Sequence, residues 1–102
     1  MHIEHYEKYL RYTDRELLLL ARKVGSLATR CKRLKDASSS IRIEAERRAT
    51  KKKQDSVKVT MTIELPQKIL RAESRKPTVL EAIDRCTQKL MPQIARYKDL
   101  HS

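Results

Sequence analysis

The chain has no tryptophan, no phenylalanine and a single glycine in 102 residues, with only two cysteines, three prolines and four tyrosines. Without large apolar rings, any core has to be built mostly from aliphatic side chains. One glycine cannot supply a GXXG clamp or a glycine-rich phosphate cradle. Cys31 and Cys86 are too few and too far apart for a disulfide framework or a zinc knuckle. Each falls on the apolar stripe of a predicted helix and reads as a small buried thiol in a reduced, cytoplasmic protein. The longest apolar run, Leu17 to Ala21, is far short of the roughly 18 residues of a membrane span. The opening MHIEHYEKYL has no signal-peptide pattern. Integral membrane and exported classes are therefore excluded.

Catalytic groups are equally scarce. His2, His5 and His101 sit at the chain ends, and His2 and His5 are three apart in a predicted strand, a poor metal pair. His5 is expected inward, as a core histidine. No Ser, Cys or carboxylate comes with a base at a motif spacing. Glu81 and Asp84 read as a cap and a first-turn partner of a helix dipole. No enzymatic activity, cofactor, metal or small-molecule substrate is expected.

Charge is abundant and of one sign. Lys and Arg number 24 against 13 Asp and Glu, a formal net charge of +11. Residues 1–54 carry 15 basic and 7 acidic side chains, and residues 55–102 carry 9 and 6. The length suits one domain, 1–102, with one modest core.

Period-two and helical spacings give the element order. Met1 to Tyr6 reads as a short strand, with Ile3 and His5 on one face and Glu4 and Tyr6 on the other. Thr13-Asp14-Arg15-Glu16 has capping-box spacing. Leu17, Leu20, Ala21, Val24, Leu27, Ala28 and Cys31 then form an apolar stripe at helical spacing. Gly25, mid-helix at a cost of about 1 kcal/mol relative to Ala, is expected to allow close approach of a neighbouring element. Lys32, Arg33 and Lys35 are expected in the last helical turn, where cations suit the dipole. Asp36 to Ser39 reads as a turn. Ile41, Ile43 and Ala45, then Val57, Val59, Met61 and Ile63, then Leu70, Ala72 and Ser74, alternate as three half-buried strands. Residues 47–54 are a basic connection, either a second phosphate contact or a solubilising hairpin tip. Thr78 with Glu81 opens a second helix whose stripe is Val79, Ala82, Ile83, Cys86, Leu90 and Ile94. Pro92 inside it removes a bond to the Gln88 carbonyl, and a kink there would re-aim Arg96 and Lys98.

The fold class that follows is α+β: a two-layer sandwich, β-α-β-β-β-α, with two helices on one face of a four-stranded sheet and the other face open. Arg15, Arg22, Lys23, Arg30 and Arg33 lie off the stripe of the first helix. Arg85, Lys89, Arg96 and Lys98 lie off that of the second. With the helices side by side, these residues are expected to form one continuous cationic wall that attracts a polyanion. Exposed strand positions read as Arg, Lys, Thr and Glu, which disfavours a stacking platform for single strands. No helix-turn-helix is evident. Backbone and shape recognition of structured RNA remains the expected mode. General binding of structured RNA or DNA, and docking of an acidic protein, stay open as alternatives.

The chain resembles the ribosome hibernation promoting factors, also known as ribosome-associated inhibitors or sigma-54 modulation proteins. The resemblance rests on Leu70-Arg71-Ala72-Glu73, Ala82-Ile83-Asp84, Lys89-Leu90 and Arg96-Tyr97-Lys98-Asp99, with a looser match at Thr13, Lys23 and Leu27. It implies a fold similar to a double-stranded RNA-binding domain. It also implies binding to the small ribosomal subunit and its ribosomal RNA, in the channel of mRNA and tRNA anticodon arms, with translation blocked. Lys23, Lys89, Arg96 and Lys98 match basic positions that contact ribosomal RNA in that family. Arg22, Arg30 and Arg85 join them from the helical-face argument. A chain ending at Ser102 is expected to be a short form, monomeric when free.

Overall fold

The structure, a computed structural model, describes residues 1–48 and 56–101. The elements are β1 (His2–Lys8), α1 (Asp14–Arg30), a short 3-10 turn (Lys32–Lys35), β2 (Ser40–Arg47), β3 (Val57–Leu65), β4 (Lys68–Lys76) and α2 (Val79–His101). The sheet order is β1-β2-β3-β4, with β1 parallel to β2 and the other pairs antiparallel. The β-α-β-β-β-α sandwich read from the sequence is the architecture observed. Much of the basic connection at 47–54 lies outside the described residues; Arg47 closes β2.

Alternation sets the layers. Ile41, Ile43 and Ala45 of β2 pair with Ile63, Met61 and Val59 of β3, and the latter two face Ala72 and Ser74 of β4. All are buried, and α2 packs on β3 and β4 with Val79, Ala82, Ile83, Cys86, Leu90 and Ile94 buried. Each buried aliphatic side chain of this size contributes roughly 1.5–3 kcal/mol. Buried hydroxyls are paired within the core: Ser74 Oγ donates to the Ala82 carbonyl and Thr87 Oγ1 to that of Ile83, both at 2.9 Å. The Cys86 thiol donates to the Val59 carbonyl, and burial pushes its pKa up. Cys31 and Cys86 are both free and buried, as their stripe positions predict.

The caps are those the sequence spells. Glu16 N–H donates to Thr13 Oγ1 at 3.1 Å while Thr13 N–H donates to Glu16 Oε1 at 2.8 Å, a complete capping box. At α2, Glu81 N–H donates to Thr78 Oγ1 at 3.3 Å, and the Thr78 hydroxyl itself donates to the Glu81 carboxylate.

Several expectations give way. The apolar face of α1 narrows to Leu20, Val24, Leu27 and Ala28, with Ala21 exposed and Leu17 38% exposed. The cause is the position of α1, which packs against α2 and leaves the helix side of edge strand β1 uncovered. For the same reason Ile3 is 47% exposed and His5 is at the surface, not in the core. The His5 ring instead meets Tyr12 edge-on at 6.1 Å. Gly25 admits no neighbour: a Cβ there would meet nothing within 4 Å, so close approach does not explain it. α1 stops at Arg30, and Lys32–Lys35 wind as a 3-10 turn that sinks Leu34 into the core. α2 is helical on both sides of the exposed Pro92. Tyr12 is buried as well, and its Oη has no hydrogen-bond partner among the described residues. Burial, followed by the charges of Glu7 and Glu16, pushes the Tyr12 phenol up to about 12. Among the described residues, no helix is long and apolar enough to cross a membrane.

Candidate nucleic-acid interface

The two faces of the molecule differ in charge. Strand register places Glu4, Glu44, Glu46, Glu64 and Glu73 on the open sheet face, together with Lys8, Arg42, Lys58, Arg71 and Arg75. Acids and bases balance there, and several are paired: Arg42 with Glu4 at 3.4 Å, and Lys58 and Arg75 with Glu73 at 3.4 and 3.5 Å. Desolvation raises the Glu73 carboxyl, but Lys58 and Arg75 outweigh it and hold the group below its usual range. The cationic excess of the chain therefore lies on the helix side and in the connections.

On that side the cations divide into groups. Lys23 and Arg30, seven residues apart, share the flank of α1 that faces α2. Lys23 Nζ donates to Asp84 Oδ1 of α2 at 2.7 Å. Further along, Arg30 and Lys98 meet across the ends of the two helices. With Thr29, Cys31, Lys32, Arg33 and Tyr97 they line a groove of about 220 Å³ whose wall, among the described residues, has no carboxylate. Its four cations sit where the negative ends of both helix dipoles lie, so they are stabilised there before any ligand arrives. Arg22 is exposed, a helical step of about 100° beyond Lys23, and points outward.

Arg85, Lys89 and Arg96 fall on the opposite flank of α2, above edge strand β4. Lys89 Nζ donates to the Glu73 carbonyl at 2.6 Å. Gln93 Nε2 donates to the Arg71 carbonyl at 2.8 Å, and Arg71 N–H donates to Gln93 Oε1 at 3.2 Å. These side chains satisfy backbone groups that edge strand β4 would otherwise present to another chain. Lys89 thus blunts a sheet edge, which the sequence reading did not foresee. Arg85 donates to Gln88 Oε1 at 3.2 Å, and Arg96 is exposed.

The single continuous wall expected from the sequence is therefore two basic flanks. Asp84 interrupts the seam between the helices, and Lys89 is turned to β4. Lys32 and Arg33, expected in the last turn of α1, lie beyond it in the 3-10 turn, which sets them in the Arg30–Lys98 groove at the same negative helix end. Their spacing to Arg30 was visible, but the change of helix type that re-aims them was not. Among the described residues, no cluster of His, Cys, Asp and Glu could hold a metal ion.

Two solved structures share this fold. One is described as a ribosomal subunit interface protein from Coxiella burnetii, 21% identical, matching 97% of this chain and 99% of its own with a TM-score of 0.74. The other is the N-terminal domain of Protein Y from Thermus thermophilus, 23% identical, matching 95% of this chain and 99% of its own with a TM-score of 0.72. No curated protein sequence matches the chain. Residues 2–101 match a single protein family along nearly the whole length of the fold described above. The chain belongs to the family of sigma 54 modulation proteins and S30EA ribosomal proteins.

Proposed function

We propose that this protein is a ribosome-binding translation inhibitor of the hibernation class, acting in the cytoplasm. In this reading it occupies the mRNA and tRNA channel of the small subunit and contacts ribosomal RNA through basic side chains on its helix side. The family match over residues 2–101 carries the proposal. The balanced sheet face, and a groove whose described lining is cationic and holds no carboxylate, support the choice of surface. Arg30 and Lys98 take backbone phosphate in the groove. Arg22 and Lys23 extend that contact along α1, and Arg85, Lys89 and Arg96 form the second flank. Such contacts need charge and shape but few rings, which suits helical RNA whose bases are hidden. Each neutralised phosphate steepens the salt dependence of binding by roughly 0.7–0.9 log units per log unit of salt.

Sedimentation of purified ribosomes and subunits with the protein tests this. The expected result is co-migration with small subunits and whole ribosomes at low salt, lost as salt rises. Failure to co-migrate, or equal affinity for a plain RNA duplex in a competition titration, refutes it.

A further inference from the structure

A second aromatic and basic cluster stands away from the helix groove, at the corner where β1 ends. Tyr9 holds a left-handed backbone, φ 58°, which a bulky residue adopts only under constraint. Its ring stands in solvent, 77% exposed, with Lys8 Nζ 5.6 Å from the ring centroid. Tyr9, Glu46, Arg47 and Arg48 line a depression of about 520 Å³. A second depression adjoins it through Glu46 and is lined by Tyr6, Lys8 and Lys58 among others. Tyr6 is 52% exposed on the open sheet face, and the Arg42 guanidinium carbon lies 5.8 Å from its ring centroid. A strained, exposed ring has no role in the core. Lys8, Arg47 and Arg48 stand beside Tyr9 together with Glu46, while Arg42 and Lys58 at the Tyr6 end are paired with Glu4 and Glu73.

We infer that this corner binds an unpaired RNA segment, with bases stacked on Tyr9 and Tyr6 and phosphates held by Lys8, Arg47 and Arg48. Aromatic faces accept any base, and neighbouring cations follow the backbone, the pairing of features that single-strand binding requires. Glu46 is placed to accept from a base amino group. The site uses none of the residues assigned to the helix groove, so it goes beyond the proposed ribosome contact and adds single-stranded RNA as a ligand class.

Fluorescence anisotropy of the full chain with a labelled eight-nucleotide oligoadenylate tests it. Tyr9→Ala is expected to weaken binding roughly 5- to 150-fold, the range of losing one stacked base, and Tyr9→Phe to retain it. Affinity for a twelve-base-pair RNA duplex is expected to be the same in all three proteins. Tyr9→Gly, whose backbone accepts φ 58° freely, is expected to lose the oligonucleotide while melting no lower than the parent. Arg30→Glu with Lys98→Glu, which reverses the two phosphate contacts of the helix groove and is expected to end ribosome co-sedimentation, leaves the affinity ratio with and without the Tyr9→Ala substitution unchanged. Equal oligoadenylate affinity for parent and Tyr9→Ala overturns the inference, as does a Tyr9→Phe variant that fails like Tyr9→Ala. Displacement of the RNA by oligoglutamate of matched charge overturns it too, because the corner then reads charge alone and serves an acidic protein equally well.

Discussion

The substitution Asp84→Asn removes the carboxylate that faces Lys23 Nζ at 2.7 Å and leaves a side chain of nearly the same shape. The pair links α1 to α2, so its loss costs stability. The Lys23 side chain is 32% exposed and that of Asp84 46%, and water screens such a pair to about 0.2–1 kcal/mol. For a domain of this size the melting temperature falls by roughly 1–8 °C. Affinity for RNA moves the other way. Lys23 is released to a phosphate, and a contact with a slope of 0.7–0.9 gains roughly five- to eightfold at 0.1 M salt relative to 1 M. The assay is ribosome binding measured across a salt series, with thermal melting of the free protein in parallel. A less stable protein that binds ribosomes more tightly, with a steeper salt slope, is the expected outcome. Weaker binding, or an unchanged slope, refutes the placement of Lys23 at the RNA surface. Lys23→Glu makes the complementary case, because it sets two carboxylates against each other between the helices and lowers stability and affinity together.

Three further outcomes follow from particular side chains. Arg30→Glu with Lys98→Glu costs roughly 0.6–2 kcal/mol per site, because each reversal sets a carboxylate at the negative end of a helix dipole, and it removes ribosome co-sedimentation in a pelleting assay while the protein stays folded. Gly25→Ala raises stability by about 1 kcal/mol in chemical denaturation, because an added Cβ meets no neighbour and alanine favours the helix. Tyr12 bears on alkaline stability. Its phenol is raised from 10.0 to about 12 in the folded chain, so between those values the unfolded chain releases the proton while the folded chain keeps it. The stability this group contributes is complete below pH 10 and is lost as pH rises through 12. Tyr12→Phe is expected to flatten that part of the denaturation-versus-pH profile, and to stabilise at neutral pH by about 1 kcal/mol by removing an unpaired buried hydroxyl.

Residue spacing carried most of the architecture. The alternation at Ile41 to Ala45 and at Val57 to Ile63 leaves one face to bury, and Thr13 with Glu16 marks a helix start in backbone chemistry alone. What spacing could not convey was how far each helix lies from each strand. Leu17 and Ala21 satisfy the helical period yet sit outside the core, because α1 leans toward α2 and leaves β1 bare. The basic residues were recognisable as surface groups for the same reason the stripes were. Their division into two flanks depends on helix rotation and on partners distant in sequence: Asp84 for Lys23 and the Glu73 carbonyl for Lys89. The end of α1 at Arg30 followed no glycine or proline, so the 3-10 turn that re-aims Lys32 and Arg33 had no punctuation to announce it. The left-handed backbone at Tyr9 had no local signal, since tyrosine is not a residue type that favours it.

Hydroxyl-radical probing of small-subunit ribosomal RNA, with the parent protein and with the Arg30→Glu, Lys98→Glu variant, tests the central claim most directly. Protection confined to nucleotides lining the mRNA and tRNA channel is expected, present with the parent and absent with the variant. Protection elsewhere on the subunit, or a footprint that survives the double charge reversal, contradicts it.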